Sequence, residues 1–344
     1  MEQSTQEVVL TVSSSPHVRC NESIPKIMWT VVATLVPAAA FGVYYFGFNA
    51  LLNIIVSIVS AVFFEWAWEK FMHKKITIND GSAVITGLLL AMCCSPILPW
   101  WMCIVGSFIA IVVCKQAMGG LGYNLFNPAH VGRAGLMVSW PVAMTTWTQV
   151  NGSVIDGVAG ATPLNVLKQS GYDALLQLFN NDPMTMYQNM FLGFRNGSMG
   201  ETSTVLLILG GLFLMYKGYV KWQATVAMIA TVGILMWIFG GAVGAHATGG
   251  LFTGDPIFHM MAGGLIIGAF FMSTDMVTAP ITLKGQLIFA VGAGVLTVLI
   301  RLLGGYPEGV CYSILLMNAV TPLIDLTVKP RIFGSVKVKA KEAE

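Results

Sequence analysis

Hydrophobic and polar positions separate into long blocks along this chain. Apolar runs recur, with short polar or Gly/Pro-containing breaks between them. A helix needs ~20 residues to cross ~30 Å of hydrocarbon, so runs of this kind are typical of membrane helices. The pattern predicts an all-α polytopic membrane protein with about ten transmembrane helices, several of them short or irregular. The predicted spans are 27–46, 50–68, 82–94, 99–114, 126–140, 202–216, 222–241, 258–274, 285–303 and 310–326.

The polar segments predict the organisation of the chain. Its first part shows no apolar region after a basic start, so no cleavable signal peptide is expected there. One long polar stretch separates two groups of five spans, and a basic tail closes the chain. The predicted parts are an N-terminal segment 1–26, a first five-helix repeat 27–140, a loop 141–201, a second five-helix repeat 202–326 and a tail 327–344.

The two groups of spans resemble each other in order. Residues 87–95 are similar to 264–273, and the Gly-Gly and Asn-containing segment 119–129 is similar to 304–319. Five spans is an odd number, so a duplicated half would be inserted upside down relative to the first. The pattern predicts a 5+5 inverted repeat with the functional site at the repeat interface. The alternative is chance similarity between apolar segments.

Composition strengthens the membrane interpretation. Hydrophobic residues make up 56% of the chain and charged residues 10%, against about 25% charged in an average soluble domain. These values exclude a disordered chain and argue against an ordinary soluble one. The net charge of +2 predicts no nucleic-acid partner. The six cysteines show no metal-type spacing with histidine, so we predict apolar core residues and no metal site.

The distribution of basic residues predicts the orientation of the chain. With the N-terminus in the cytoplasm, 14 of the 18 basic residues fall in segments on that side, as the positive-inside rule requires. Both termini are then cytoplasmic, and the 141–201 loop lies outside. The 14 residues are Arg19, Lys26, Lys70, Lys74, Lys75, Lys115, Lys217, Lys221, Lys284, Lys329, Arg331, Lys337, Lys339 and Lys341.

Charged residues within the spans are costly in lipid and often functional. We consider Glu65 and Asp325 as candidates for an ion path, with His130 as a candidate proton acceptor. Helix-end anchoring and ion pairs between subunits are the alternatives for these residues. Arg133 is a further candidate partner for a carboxylate or a bound anion.

A short segment in the outer loop offers a nucleophile. Asp156 precedes a run of small residues that ends in Thr162, whose hydroxyl a bulky partner could approach closely. Taken alone, the segment is equally typical of a surface turn. However, its pattern Asp-x-x-x-Gly-Ala-Thr-Pro-Leu resembles the flavinylation site of the RnfD/NqrB family, with Ala159 where the family usually has Ser. The residues of this candidate site are Asp156, Gly160, Ala161, Thr162, Pro163 and Leu164.

Three further segments resemble the same family. They are Ser-Ser-Ser-Pro-His at 13–17, the Gly-rich segment 119–129 and Phe-Met-Ser-Thr-Asp at 271–275. Together with the Thr162 segment, these matches run in order over nearly the whole chain. The short N-terminus favours the RnfD branch over the longer NqrB branch.

The resemblance implies a subunit of the Rnf complex in a bacterial or archaeal cytoplasmic membrane. That complex couples electron flow between ferredoxin and NAD to transport of Na⁺ or H⁺. FMN is expected on Thr162, attached through its phosphate by a flavin transferase on the outer side. The implied partners are the lipid bilayer, the other Rnf subunits and a small subunit that also carries covalent FMN.

A second, non-covalent flavin, riboflavin or FMN, is also implied by the resemblance. The corresponding residues are Asn124 and Asn127, with Thr274 and Asp275 close by on the cytoplasmic side. The i, i+3 spacing of the two asparagines predicts that their amides share one helical face. Amides can bond the pyrimidine edge of a flavin, and helix capping beside Pro128 is the alternative.

Two other functions stay open from the sequence. One is an NqrB-like subunit of a Na⁺-translocating NADH:quinone oxidoreductase. The other is a flavin-free secondary transporter, for which the inverted repeat alone would be the argument.

Overall fold

The computed structural model describes residues 22–148, 159–242 and 249–330. This part of the chain is helical apart from one pair of two-residue strands. The first group of helices comprises α1 (Ile24–Phe46), α2 (Phe48–Phe71), a 3-10 turn (Ile78–Asp80), α3 (Ser82–Cys93), α4 (Trp100–Phe108, continued as a π-helix over Ile109–Gln116) and α5 (Pro128–Ser139).

A second group of helices ends the described chain. It comprises α9 (Thr204–Tyr216), α10 (Trp222–Phe239), α11 (Pro256–Met261), α12 (Leu265–Ile267, continued as a π-helix over Gly268–Met272), α13 (Leu283–Leu303) and α14 (Val310–Thr327). Five helices, α1, α2, α10, α13 and α14, are long and apolar enough to cross a membrane. They coincide with predicted spans one, two, seven, nine and ten, so the chain is a multi-pass membrane protein.

The segment between the two groups contains secondary structure of its own in its described part. It contains α6 (Pro141–Thr145), β1 (Trp147–Thr148), β2 (Ala159–Gly160), α7 (Pro163–Gln177), α8 (Pro183–Leu192) and a 3-10 turn (Met199–Glu201). The two strands pair antiparallel. Polar composition hid this structure because α7 and α8 bury only one apolar face each. Those faces form a separate apolar cluster that includes Leu175, Met186 and Phe258.

Predicted span eight is broken, contrary to a single continuous helix. α11 ends before Gly263 and Gly264, which both have φ near +66°. This backbone region strongly favours glycine, so these two residues permit the break. Arg301 of α13 donates hydrogen bonds to the carbonyls of His259 and Ala262, at 2.6 and 2.7 Å. Carbonyls freed at a break need such partners where lipid offers none.

Packing places the main core between the two groups of helices. α2 packs on α3 and α4, whereas α10 packs on α11 and α13. α1 contacts α9, and α5 contacts α14, so the groups meet through these pairs. α2 and α3 approach closely, because a Cβ at Gly87 would lie 2.6 Å from the carbonyl oxygen of Ser57. Small residues permit such contacts between membrane helices.

Candidate functional site

A cavity of about 850 Å³ lies between the two groups of helices. We call it the inner cavity. It is bordered by the start of α1, α3, the start of α5, the end of α9 and the segment after α12. Its lining includes all four residues predicted for the second flavin, Asn124, Asn127, Thr274 and Asp275. Tertiary packing therefore brings together residues about 150 positions apart in the sequence.

The two asparagines of the inner cavity have different roles. Asn127 caps α5, since its Oδ1 accepts hydrogen bonds from the backbone N–H groups of Ala129 and His130. Asn124 lies before the helix, so the prediction that both amides share a helical face is wrong. Its Nδ2 donates to the carbonyl of Phe126, at 3.1 Å. Its Oδ1 is buried without a partner among the described residues, which leaves a free acceptor at the cavity wall.

Thr274 and Asp275 are held by local hydrogen bonds. The Thr274 hydroxyl donates to the carbonyl of Phe270 at 2.7 Å. The Asp275 carboxylate accepts hydrogen bonds from the Val277 N–H and the Thr278 hydroxyl. Burial raises the pKa of Asp275, and these two bonds partly oppose that rise. Both residues therefore form a fixed polar edge of the cavity.

A buried ion pair lies beside the inner cavity. The Lys115 ammonium lines the cavity and contacts Glu65 Oε1 and Ser82 Oγ, both at 2.6 Å. Gln116 also donates to Glu65 Oε1, at 2.9 Å. The sequence interpretation ended span four at residue 114, but the helix continues as a π-helix to Gln116, so Lys115 lies within it with 1% of its surface exposed. Its placement on the cytoplasmic side stays a prediction. Glu65 thus has an ion-pair partner within this chain, whereas the sequence alternative was a pair between subunits. Its role in an ion path stays a prediction.

Thr162 begins α7. Its side-chain oxygen accepts a hydrogen bond from the Asn165 N–H at 3.2 Å, and Pro163 occupies the first turn. Only 2% of Thr162 is exposed, and Leu164 is also buried. Ala161 is exposed, whereas Gly160 pairs with Trp147 in the strand ladder. Asp156 lies outside the described residues.

A second cavity, of about 690 Å³, adjoins the first turn of α7. We call it the outer cavity. Asn165, whose backbone N–H donates to the Thr162 side-chain oxygen, lines this cavity. The other walls come from the end of α5, from β1 and from the segment that joins α13 to α14. Lys168 Nζ donates to the carbonyls of Gly304 and Tyr306, which fixes α7 to that segment.

An ion pair that joins the two groups of helices lines the outer cavity. Arg133 of α5 contacts Glu308, which lies between α13 and α14. The sequence interpretation that Arg133 pairs with a carboxylate is therefore confirmed. Glu308 itself was missed. The signal that could have found it is its position just after Gly304-Gly305-Tyr306-Pro307, in the segment that takes part in the internal repeat.

The other sequence candidates lie apart from these cavities. Asp325, near the end of α14, accepts a hydrogen bond from the Ile281 N–H at 3.1 Å. This contact ties the end of α14 to the start of α13. His130 is buried in α5, and neither ring nitrogen has a partner among the described residues. The proposed ion-path and proton-acceptor roles of these residues stay predictions.

Comparison with known proteins places this architecture in one family. Residues 11–334 match the NQR2, RnfD, RnfE family. The chain is 63% identical to the D subunit of a proton-translocating ferredoxin:NAD(+) oxidoreductase complex from Clostridium ljungdahlii, over 95% of this chain and 97% of that protein.

Two further relatives cover nearly as much of the chain. Identity is 43% to the D subunit of a Na(+)-translocating ferredoxin:NAD(+) oxidoreductase complex from Acetobacterium woodii, over 98% of this chain and 99% of that protein. It is 38% to the D subunit of an ion-translocating oxidoreductase complex from Stutzerimonas stutzeri, over 91% and 92%. A family match over nearly the full length, together with these identities, shows that the chain belongs to the NQR2, RnfD, RnfE family.

Proposed function

We propose that this chain is the D subunit of an ion-translocating ferredoxin:NAD oxidoreductase complex and relays electrons through flavins. The observation that carries this proposal is the near-complete match to subunits with that name in two organisms. The activity belongs to the assembled complex, in which other membrane subunits border this chain. The relatives differ in coupling ion, so either H⁺ or Na⁺ fits the family.

Thr162 is the proposed attachment site for FMN. A phosphate on its hydroxyl would lie at the N-terminus of α7, where free N–H groups and the helix dipole favour an anion. The adjoining outer cavity has the aromatic walls Trp147, Tyr306 and Tyr312. The residues present therefore fit the group. Because Thr162 is buried, the flavin transferase requires this helix start to open before it reaches the hydroxyl.

The protein contributes position and electrostatics to this site. FMN supplies one- and two-electron redox chemistry when it is bound. Arg133 presents a guanidinium at the cavity wall, held in place by Glu308. The ester link to Thr162 would keep the flavin attached to the protein, because an unattached flavin could diffuse away into the outer compartment.

The inner cavity is the proposed site of a second, non-covalent flavin. The unpartnered Oδ1 of Asn124 can accept a hydrogen bond from the imide N–H of a flavin ring. Phe270 and Phe271 provide apolar walls, and Lys115 provides a cation. A mostly apolar cavity with an orphaned acceptor fits this ligand without a covalent link.

Helix α5 connects the two proposed sites. Pro128 and Ala129, at its start, line the inner cavity, whereas Arg133 and Met137 line the outer cavity. At 1.5 Å per residue, Pro128 and Met137 are ~14 Å apart along the helix axis. The two cavities thus lie at opposite ends of one short helix, which supports an electron relay within this chain.

The proposed architecture has ten spans in a 5+5 inverted repeat. α1 to α5 would correspond to α9, α10, α11 with α12, α13 and α14. Two features support this: corresponding elements α1 and α9, and α5 and α14, contact each other, and the third element of each half is short or broken. Contact between equivalent helices is expected around a pseudo-two-fold axis.

The proposed topology has both termini in the cytoplasm and Thr162 outside. It predicts that a tag inserted near Asp173 is accessible to an impermeant reagent from outside intact cells. Accessibility only after permeabilisation would contradict this topology and support the opposite orientation.

Mass spectrometry of the intact chain tests the proposed function. We expect the native chain, produced with its flavin transferase, to carry an adduct of FMN less water on the peptide that contains Thr162. An unmodified chain would contradict the flavin relay and favour a flavin-free transporter. Assays of the purified complex with ferredoxin and NAD, and with NADH and quinone, separate the Rnf from the NqrB-like activity.

A further inference from the structure

Glu201 is a buried carboxyl group that no part of the proposed flavin relay uses. It ends the 3-10 turn Met199–Glu201, just before α9, and 5% of its surface is exposed. The turn packs into the break of span eight. A Cβ at Gly264 would lie 3.9 Å from Glu201 Oε1, and a Cβ at Gly200 would lie 2.9 Å from Ile267 Cδ1.

The cations near Glu201 are bonded to backbone oxygens. Arg195 donates twice to the Glu201 carbonyl, at 2.7 and 3.1 Å, and once to the Met261 carbonyl. Arg301 donates to two carbonyls at the end of α11. Within the described ranges the Glu201 carboxylate takes part in no ion pair. Its Oε1 accepts one hydrogen bond, from the Ser198 hydroxyl at 2.9 Å.

This environment favours the neutral form of the carboxyl group. Burial and the negative charge of Glu308 raise the pKa of Glu201, whereas Arg195, the Ser198 hydroxyl and Arg133 oppose the rise. The charged or titratable groups that face this region come from several elements. They are Arg195 from the segment after α8, Cys93 from α3, Arg133 from α5, His259 from α11, Arg301 from α13 and Glu308 from the segment before α14.

The negative charge of Glu308 acts on Glu201 electrostatically. Glu308 lines the outer cavity, whose rim includes the exposed Tyr306. A change in the protonation of Glu201 is therefore felt by the carboxylate of a surface-connected cavity, through the electrostatic interaction between the two.

The surroundings favour a proton over a metal cation. Carbonyl oxygens of Glu201, His259, Met261 and Ala262 already accept hydrogen bonds from guanidinium groups. Hard cations require several oxygen ligands, and three arginines in this region repel them. No group of three or more His, Cys, Asp or Glu side chains suited to a metal occurs in the described part of the chain.

We propose that Glu201 is a proton-exchange site on the outer side of the protein. It binds and releases one proton, and only an O–H bond forms or breaks in the step. The proposal goes beyond the flavin relay and does not require a flavin in either cavity.

Carbodiimide labelling of the intact complex tests the proposal. Dicyclohexylcarbodiimide is apolar and adds to protonated carboxyl groups to give a stable acylurea. We expect peptide mapping by mass spectrometry to find the label on Glu201, with labelling that falls about tenfold per pH unit above its pKa. Glu69 is a native comparison, because it is equally buried but both its oxygens accept hydrogen bonds from Thr77. We expect little label on Glu69.

Two variants should move the labelling profile in opposite directions. Ser198→Ala removes a hydrogen bond that favours the charged form, so its midpoint should rise by about half to one pH unit. Glu308→Gln removes a negative charge, so its midpoint should fall. Glu201→Gln should lose the label, and Glu201→Asp should keep it. Since Ser198→Ala leaves every ion pair intact, it tests the proposal even if Glu308→Gln folds poorly.

Three results would overturn the proposal. The first is the absence of label on Glu201 at every pH within about two units of neutrality. This result would have to hold in both the native chain and Ser198→Ala. The second is labelling that does not depend on pH. The third is protection by Na⁺ at constant ionic strength, which would make Glu201 a cation ligand. All three can be read in a complex that carries its flavins, so they do not depend on the test of Thr162.

Discussion

The inner and outer cavities differ in what surrounds them. The inner cavity lies among membrane helices, with mostly apolar walls, one buried cation and one unpartnered amide oxygen. The outer cavity is lined by residues of short helices and connecting segments. The ion pair that joins the two groups of helices also lines it. Both cavities include exposed side chains in their lining, Met276 at the inner cavity and Tyr306 at the outer cavity.

We relate this difference in lining to the proposal of a covalent link for one flavin and none for the other. A mostly apolar cavity can retain a planar ring by burial and a few oriented polar contacts. A cavity at the outer surface loses a weakly held ligand to the external volume. At Thr162, the helix start stabilises a phosphate but does not enclose a ring.

The largest expected effect comes from Thr162→Ala, which should abolish covalent FMN and leave the non-covalent flavin in place. The substitution also removes the N-cap of α7, at a cost of about 1 kcal/mol. Thr162→Asn is the matched control, because Asn caps helices well but has no hydroxyl for the ester. Intact mass and in-gel fluorescence should show no adduct in either variant. An adduct on Thr162→Asn would place the attachment elsewhere.

The next largest effect is expected on protein stability, when the buried ion pair beside the inner cavity is broken. Lys115→Met should destabilise the protein by about 3–5 kcal/mol, because it leaves the Glu65 carboxylate buried without its cation. The double variant Lys115→Met/Glu65→Leu should recover most of this loss. Thermal unfolding of the purified complex measures both.

The Arg133–Glu308 pair provides the comparison for that experiment. Its side chains are 10% and 11% exposed, against 2% and 1% for Lys115 and Glu65. We therefore expect Arg133→Met to lower the unfolding temperature less than Lys115→Met. The reverse order would show that the contact between halves, and not burial, dominates the stability.

Asn124→Leu tests the non-covalent site. Loss of the unpartnered acceptor should weaken retention of the extractable flavin by about 10- to 100-fold, as expected for one buried hydrogen bond. Covalent FMN on Thr162 should stay at its native level. Asn127→Asp keeps the cap of α5 and serves as the control for folding. Equal retention in Asn124→Leu and the native complex would remove Asn124 from the flavin site.

The smallest effect is expected for Lys168→Met, which frees α7 from the segment between α13 and α14. Loss of the bonds to Gly304 and Tyr306 should raise the exchange rate of amide hydrogens in the first turn of α7 about tenfold. Exchange around the inner cavity should not change. A change there would show that the two regions are coupled through α5.

Individual residues show how far sequence reasoning reached. Span seven was predicted at 222–241, and α10 covers Trp222–Phe239, because an apolar run of this length is set by bilayer thickness. Span eight was predicted as one helix, since Gly263 and Gly264 are common residues in membrane helices. Their φ values near +66° depend on Arg301, which satisfies the carbonyls of the break from another helix.

The candidate sites divide in the same way. The pattern around Thr162 was readable because residues adjacent in sequence form the motif. The capping role of Asn127 was an open alternative, and the structure shows it. The free acceptor of Asn124 was not readable, because only packing decides which buried polar atom lacks a partner.

The sequence by itself determined the membrane class, the family resemblance and the position of most helices. These follow from local quantities: run length, residue type and short motifs. The tertiary structure alone decided that Lys115 pairs with Glu65, 50 residues away, and that Arg133 pairs with Glu308, 175 residues away. It also decided that Glu201 lies against the break of span eight. Charges buried at membrane depth must find partners wherever helix packing brings them, and no local pattern specifies which partner that is.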